Sequence, residues 1–278
     1  MIENVRELLR YRELIRSLVV RDLKVRYKNS VLGFFWSLVN PIIQVLVYWF
    51  VFKVVGRFPI KNYTVYVFCA FLPWIFFQSA ILDASSSVRV QFTLLKKVYF
   101  PREVLPIAIV IANFIHFGLA LVVLAAYFVK VPILPRWEWL LLPLVIALQT
   151  MLILGLSFIT ACLNVFYEDI KYIVTALMSI LFFLSPVVYI WEYAQAGIDR
   201  RLPALSHLYL LNPMAVILTL YRKILVPPIE TTTINGAVLR DMPLPTGYII
   251  YTIAISIGVF VFGYWVFNRY KWLFAERA

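Results

Sequence analysis

The chain has 278 residues, of which 63% are hydrophobic, 17% aromatic and 14% charged, with a formal net charge of +12. A water-soluble domain carries about 25% charged and 45–50% apolar residues, so this chain lacks the polar surface to cover itself in water, and disorder is excluded on the same ground. The 26 Lys and Arg residues then become a topological signal, because their placement tells which segments face the cytoplasm.

Residues 1–30 read as a basic amphipathic helix. Val5, Leu8, Leu9, Ile15, Leu18, Val19 and Leu23 recur at helical spacing, with Arg6, Arg10, Glu13, Arg21, Lys24 and Lys28 occupying much of the rest. Such a helix beside a first span is expected to lie in the plane of the interface, as an anchor alone or as a partner contact too. No cleavable signal peptide is evident, since this stretch is charged throughout and lacks a short apolar core with a small-residue cleavage site.

A helix crossing the hydrocarbon needs about 20 mostly apolar residues. Six stretches reach or approach that length: Val31 to Phe52, Val65 to Leu82, Val104 to Val129, Trp139 to Phe166, Ile173 to Trp191 and Tyr248 to Phe267. The second is short, the third and fourth are long enough to tilt, and Ser185-Pro186 breaks the fifth. Helices are required because lipid offers no water to free backbone groups, and the absence of period-2 alternation argues against a barrel. Before the last span, Leu202 to Leu225 is apolar but broken by Pro203 and Asn212-Pro213. Neither half can span, so two short re-entrant or interfacial helices are expected within residues 192–225, followed by a polar loop from Pro227 to Pro245. Six spans place both termini on one side. With the termini cytoplasmic, inner segments hold 16 Lys and Arg and outer segments 10, which assigns the ends to the cytoplasm.

The chemistry this chain lacks is as informative. Cys69 and Cys162 fall in separate spans and suit packing rather than a metal site or disulfide. His116 and His207 have no acidic or thiol neighbour at ligand spacing, so no metal is expected. No glycine begins a phosphate-binding loop; Gly258 and Gly263 have the right gap, but Tyr264 follows where Lys is needed. No span centre carries a carboxylate, which argues against proton- or sodium-coupled carriage. The chain reads as a membrane body whose energy must come from elsewhere.

Three local patterns are distinctive. Arg21-Asp22-Leu23-Lys24-Val25-Arg26-Tyr27-Lys28 leads through Ser30, Leu32-Gly33 and Trp36 to Asn40-Pro41. Leu95-Lys96-Lys97-Val98-Tyr99-Phe100-Pro101-Arg102-Glu103, with Leu105-Pro106 behind it, lies between spans two and three. There a short helix, about Ser85 to Lys97, is expected to stop before Pro101 and to leave aromatic and basic residues protruding at the cytoplasmic face. Tyr167-Glu168-Asp169-Ile170 follows span four, with Phe182-Phe183-Leu184-Ser185-Pro186-Val187 and Asn212-Pro213 downstream.

With these motifs in order from Arg21 to Asn212, the chain resembles the transmembrane subunit of an ABC-2-type exporter. It is most similar to the permeases that export O-antigen, capsule or teichoic acid polysaccharides. The resemblance implies an all-α integral membrane protein of six transmembrane helices, with an N-terminal interface helix (1–30) and re-entrant gate helices in 192–225. It implies a homodimer with two copies of a separate ATP-binding subunit, which would hold the ATP and Mg; no cofactor is expected on this chain, which is not itself an enzyme. It places a coupling helix within 85–103 and points to Arg89, Lys96, Lys97, Tyr99, Phe100, Pro101, Arg102, Glu103 and Asp169 as coupling residues. One position departs: the family often has Phe/Tyr-Arg-Asp in the second cytoplasmic loop, where this chain has Glu168.

The cargo is suggested by the aromatics. Tyr48, Trp49 and Phe52 in span one, Trp74, Phe76 and Phe77 in span two, and Phe182, Phe183 and Tyr189 in span five lie away from the interfacial belts. Sugar rings stack their C–H faces on such side chains, so these residues, with Asn40 and Gln44, are candidates for a path along which a polymer slides; core or lipid-facing packing is the alternative for each. Arg21, Lys24, Arg26, Tyr27 and Lys28 would suit the phosphates of a lipid carrier, or ordinary anionic membrane lipids. The expected function is ATP-driven export of a lipid-linked polysaccharide, most readily O-antigen, across the cytoplasmic (inner) membrane. Export of a teichoic acid, capsule, lipid or drug is the nearest alternative, and a membrane enzyme acting on lipid-linked sugars a more distant one. Nucleic acid is not expected as a partner.

Overall fold

The structure is a computed structural model that describes residues 10–26, 36–55, 63–97, 100–131, 133–189, 191, 209–228, 231–232, 238–239 and 243–274. Its described elements are almost wholly helical: α1 (Arg12–Arg26), α2 (Trp36–Trp49, continued to Val55 as a π-helix), α3 (Tyr63–Val90), α4 (Phe92–Lys97), α5 (Val104–Lys130), α6 (Leu142–Phe166), α7 (Ile170–Leu184), α8 (Pro213–Leu225) and α9 (Thr246–Tyr270). A 3-10 turn, Trp137–Leu141, leads into α6, and another, Lys271–Leu273, follows α9. The polar loop before α9 holds one short antiparallel pair, Thr231–Thr232 with Val238–Leu239. Among the described residues, four helices are long and apolar enough to cross a membrane: α3, α5, α6 with its leading turn, and α9 with its trailing turn. The fifth expected span appears as the 15-residue α7, which ends at Ser185.

Sequence dictates the ends of these helices. Pro143 sits in the first turn of α6, where its missing N–H costs nothing. Asn212 caps α8 by accepting a hydrogen bond from the Met214 backbone N–H at 3.0 Å, and Pro213 opens the helix. α3 differs from expectation. The serine run at Ser85–Ser87 suggests the end of an apolar span, yet the helix continues to Val90. Ser85, Ser86 and Ser87 donate to the carbonyls of Leu82, Asp83 and Ala84 within their own helix, so the polar run needs no water. The expected helix from Ser85 to Lys97 is thus divided between the end of α3 and the separate α4.

α3 is the central post. Within its apolar stretch 78% of residues are buried, against 17% in α9, so α3 is surrounded by protein and α9 lies at the periphery. In lipid, apolar contact alone gives helices little reason to associate; close packing and buried hydrogen bonds must do it. Both are present. Pro73 interrupts α3, and its carbonyl accepts from Gln149 Nε2 at 2.7 Å, while Tyr221 donates to Gln149 Oε1 at 2.7 Å. One buried amide therefore ties α3, α6 and α8 together. Phe76 stacks on Phe117 of α5 with centroids 4.9 Å apart. α6 and α9 cross backbone to backbone: a Cβ on Gly263 would stand 2.2 Å from the Gly155 carbonyl oxygen, and one on Gly155 2.5 Å from that of Val259. Only glycine permits that approach.

The amphipathic α1 is docked as well as amphipathic. Leu18 and Val19 are buried in a cluster with Val88, Phe100, Val104, Leu105 and Ala108, so one face rests on α3 and α5.

Candidate functional site

Three constellations stand out along the bundle. The first lies where α1 meets α3 and α5. Arg26 donates to Asp83 at 2.8 Å and to Asp22 at 3.3 Å, while Asn113 Nδ2 donates to Asp83 at 3.1 Å. Arg21 reaches Gln91 at 3.1 Å. Arg21, Asp22, Arg26, Asp83 and Gln91 border a cavity of about 170 Å³ whose other walls include Ser86, Ser87, Leu105 and Ala108. Of the residues expected to meet carrier phosphates, Arg26 is instead turned onto carboxylates of its own chain, which compete for its charge. Arg21 and Lys24 remain exposed; Tyr27 and Lys28 lie outside the described residues.

The second is the face formed by the end of α3, α4 and the α6–α7 turn, which is the expected coupling region. Arg89 donates to Glu168 across this face. The residue that departs from the family pattern thus has a cation opposite it, supplied by α3. Lys96, Glu168 and Asp169 are exposed; Tyr99 and the side chain of Lys97 lie outside the described residues. Phe100 does not protrude as expected, and Glu103 is also turned inward. Phe100 is 5% exposed and packs into the cluster that holds Phe158, Phe267 and Phe274. Glu103 is 2% exposed and accepts from Lys271 at 2.7 Å. Pro101 and Arg102 are half-buried, and the Arg102 guanidinium lies 5.9 Å from the Phe274 ring. An aromatic following a short amphipathic helix looks like a protruding docking residue; here the C-terminal turn supplies a pocket that draws it inward.

The third lies at the opposite end of α3. Arg222 of α8 is 3% exposed, yet each of its guanidinium nitrogens has a partner: Nε donates to the Tyr66 carbonyl at 3.1 Å, Nη1 to Tyr189 at 2.9 Å and Nη2 to Val187 at 2.7 Å. Its plane lies 3.9 Å from the Tyr66 ring centroid, close enough for a desolvated cation–π contact. Tyr63 donates to the Val188 carbonyl, Asn212 to Ser185 at 2.9 Å, and Tyr209 to Tyr189 at 3.0 Å. Burial raises the Tyr209 phenol pKa, with Tyr189 adding in the same direction, so this contact stays neutral and hydrogen-bonded. One buried arginine thereby fastens α8, the start of α3 and the turn after α7. Sequence reading missed it, although an arginine inside the apolar run Leu202 to Leu225 is itself a signal.

The aromatic path candidates divide. Trp74, Phe76 and Phe77 are 1%, 2% and 3% exposed and pack within the chain: Trp74 against Phe77 and Phe182, Phe76 against Phe114 and Phe117. They are core, because α3 is enclosed on every side rather than on one. Phe183 is 72% exposed, Phe182 and Tyr189 are half-buried, and Gln44 is exposed on α2. The side chains of Asn40, Tyr48, Trp49 and Phe52 lie outside the described residues, as do residues 192–208 apart from their expected role in the gate. Among the described residues no group of His, Cys, Asp and Glu is placed to hold a metal ion.

Comparison with known proteins adds a separate line. The profile of the family described as ABC-2 type transporter matches residues 13–226. The O-antigen export system permease protein RfbA of Myxococcus xanthus is 38% identical over 224 residues, covering 81% of this chain and 84% of that protein. A protein of the same name from Klebsiella pneumoniae is 30% identical over 257 residues, covering 92% and 91%.

Proposed function

Because the chain belongs to the ABC-2 type transporter family, we propose that it is the membrane-spanning subunit of an ATP-driven exporter of a lipid-linked polysaccharide, O-antigen by class. The observation that carries this reading is similarity over most of the chain to proteins named as O-antigen export permeases. In this reading two copies form the channel in the inner membrane, each with six spans and cytoplasmic termini, and two ATP-binding subunits dock beneath them. Those subunits supply the free energy by hydrolysing ATP with Mg; this chain's residues bind, guide and gate.

Arg21 and Lys24, exposed on α1, would meet the carrier phosphates at the cytoplasmic boundary. Arg89, Lys96, Glu168 and Asp169 form the face that would meet the ATP-binding subunit. The exposed flank of α7, with Phe183, is where sugar faces could slide, weakly held and without fixed register. α8 and its Arg222 anchorage would form the outer gate. The test is deletion of the gene followed by location of the polymer. Polymer made but held at the inner face of the membrane is the expected result; loss of polymer synthesis itself would refute the exporter reading in favour of an enzyme.

A further inference from the structure

We infer that residues 100–103 and 267–274 form a transmission joint through which movement of the cytoplasmic loop is delivered to α9, with Glu103 and Lys271 as its positioning pair. This rests on the exporter reading above. The two segments are far apart in sequence, Glu103 and Lys271 being 168 positions apart, yet they meet through three layers. Phe100 is buried beside Phe267 and Phe274, which themselves pack at 5.3 Å. Arg102 lies over Phe274. Glu103 accepts from Lys271 Nζ, which is also held by Asn268 Oδ1 at 2.8 Å.

Electrostatics make this last contact more than a surface ion pair. Glu103 is the N-cap of α5 and Lys271 directly follows α9. The anion therefore sits at the positive end of one helix dipole and the cation at the negative end of the other. Four alternating charges, two formal and two from backbone, align across the joint. The Glu103 and Lys271 side chains are only 3% and 18% exposed, so solvent screens them little. Glu103 Oε2 has no hydrogen-bond partner among the described residues. The ammonium can thus pass from one carboxylate oxygen to the other as the loop shifts, keeping the segments joined while they move. α4, with exposed Lys96, lies immediately before the joint, and α9 in turn presses on α6 at the glycine crossing. A displacement imposed at the cytoplasmic face thereby has a continuous contact route to the periphery of the bundle.

The test uses the full chain with its ATP-binding subunit in liposomes, measuring both ATP hydrolysed and polymer exported. Glu103→Gln and Lys271→Met should assemble and hydrolyse ATP, but export per ATP should fall by at least about fivefold, the lower end of ordinary site-to-site coupling. Lys271→Arg should keep the wild-type ratio, whereas Glu103→Lys with Lys271→Glu together restores an ion pair but sets each charge against its helix dipole, and should recover the ratio only in part. Hydrogen exchange gives an independent readout: nucleotide should alter exchange at residues 267–274 in the wild type, but only at residues 92–97 in Glu103→Gln. Unchanged export per ATP and unchanged exchange in the single variants would overturn the joint while leaving the exporter reading intact. A wild-type complex that exports no polymer on ATP addition would overturn both.

Discussion

Replacing Arg222 with methionine keeps the length and apolar stem of the side chain and removes only the guanidinium. The Tyr66 carbonyl lies inside α3 and retains its helical bond, but the Val187 and Tyr189 carbonyls lie in the turn after α7. Each of those two loses a donor, at about 1–3 kcal/mol apiece, and the stacked Tyr66 contact removes about 2 kcal/mol more. Against this, a buried cation no longer has to be desolvated, which returns several kcal/mol. Since every guanidinium nitrogen is satisfied in the native state, the losses should win, by roughly 2–4 kcal/mol. At about 2–4 °C per kcal/mol for a chain of this size class, the melting midpoint should fall by roughly 4–16 °C. Tryptophan fluorescence during heating of the protein in nanodiscs reads this out, since Trp191 is buried in a cluster with Val216 and Leu220 of the helix that carries Arg222. Arg222→Lys should fall between, since an ammonium keeps the charge but cannot span three carbonyls. A methionine variant melting at or above wild type would refute the reasoning, because desolvation would then outweigh the hydrogen bonds.

Other substitutions separate the roles assigned above. Gly155→Ala and Gly263→Ala should sharply reduce the yield of monodisperse protein in size-exclusion chromatography, whereas Gly118→Ala and Gly258→Ala, where a Cβ meets nothing within 4 Å, should be tolerated; equal behaviour of the two pairs would contradict the crossing. Phe77→Ala should cost about 3–5 kcal/mol as a core truncation, while Phe183→Ala should leave the melting midpoint nearly unchanged and alter only export rate; a destabilised Phe183→Ala would remove it from the path. Gln149→Leu should destabilise by about 1–3 kcal/mol, because the Tyr221 hydroxyl loses its acceptor inside the bundle, whereas the Pro73 carbonyl lies within α3 and keeps its helical bond; an unchanged thermal midpoint would count against that tie. Arg89→Ala should shift stability by less than about 1 kcal/mol, as for other partly exposed pairs, yet weaken co-purification of the ATP-binding subunit; unaffected co-purification would move the docking face elsewhere.

Helix positions were largely legible from hydropathy. Val104 to Val129 became Val104–Lys130, and Tyr248 to Phe267 became Thr246–Tyr270, because apolar length and basic or aromatic flanks mark the ends directly. The end of α3 was not legible, since a serine run looks like a boundary unless its hydroxyls find carbonyls in their own helix. The direction of aromatic side chains was less legible still. A span enclosed on all sides has no lipid-facing stripe, so nothing in its composition separates the buried Phe77 from the exposed Phe183. Long-range pairing was invisible: neither Phe100 nor Glu103 carries a local sign that residues near position 270 will cover it. Arg222 was the recoverable case, a lone cation in an apolar stretch that could be assigned a buried anchorage before any fold was known.

The bare-backbone crossing of α6 and α9 has a mechanical meaning. Interlocked side chains resist rotation of one helix against another; at the glycine contact two backbones meet without teeth, while Phe158 interlocks with Phe260, Tyr264 and Phe267 on one flank, so any tilt of α9 on α6 would turn about the glycine contact. Gly263 divides α9 unequally, leaving ~10 Å of helix on the Lys271 side and ~25 Å on the Thr246 side, at 1.5 Å rise per residue. A tilt about that point is therefore geared: ~1 Å of travel at the Lys271 end becomes ~2.5 Å, in the opposite sense, at the far end beside α8.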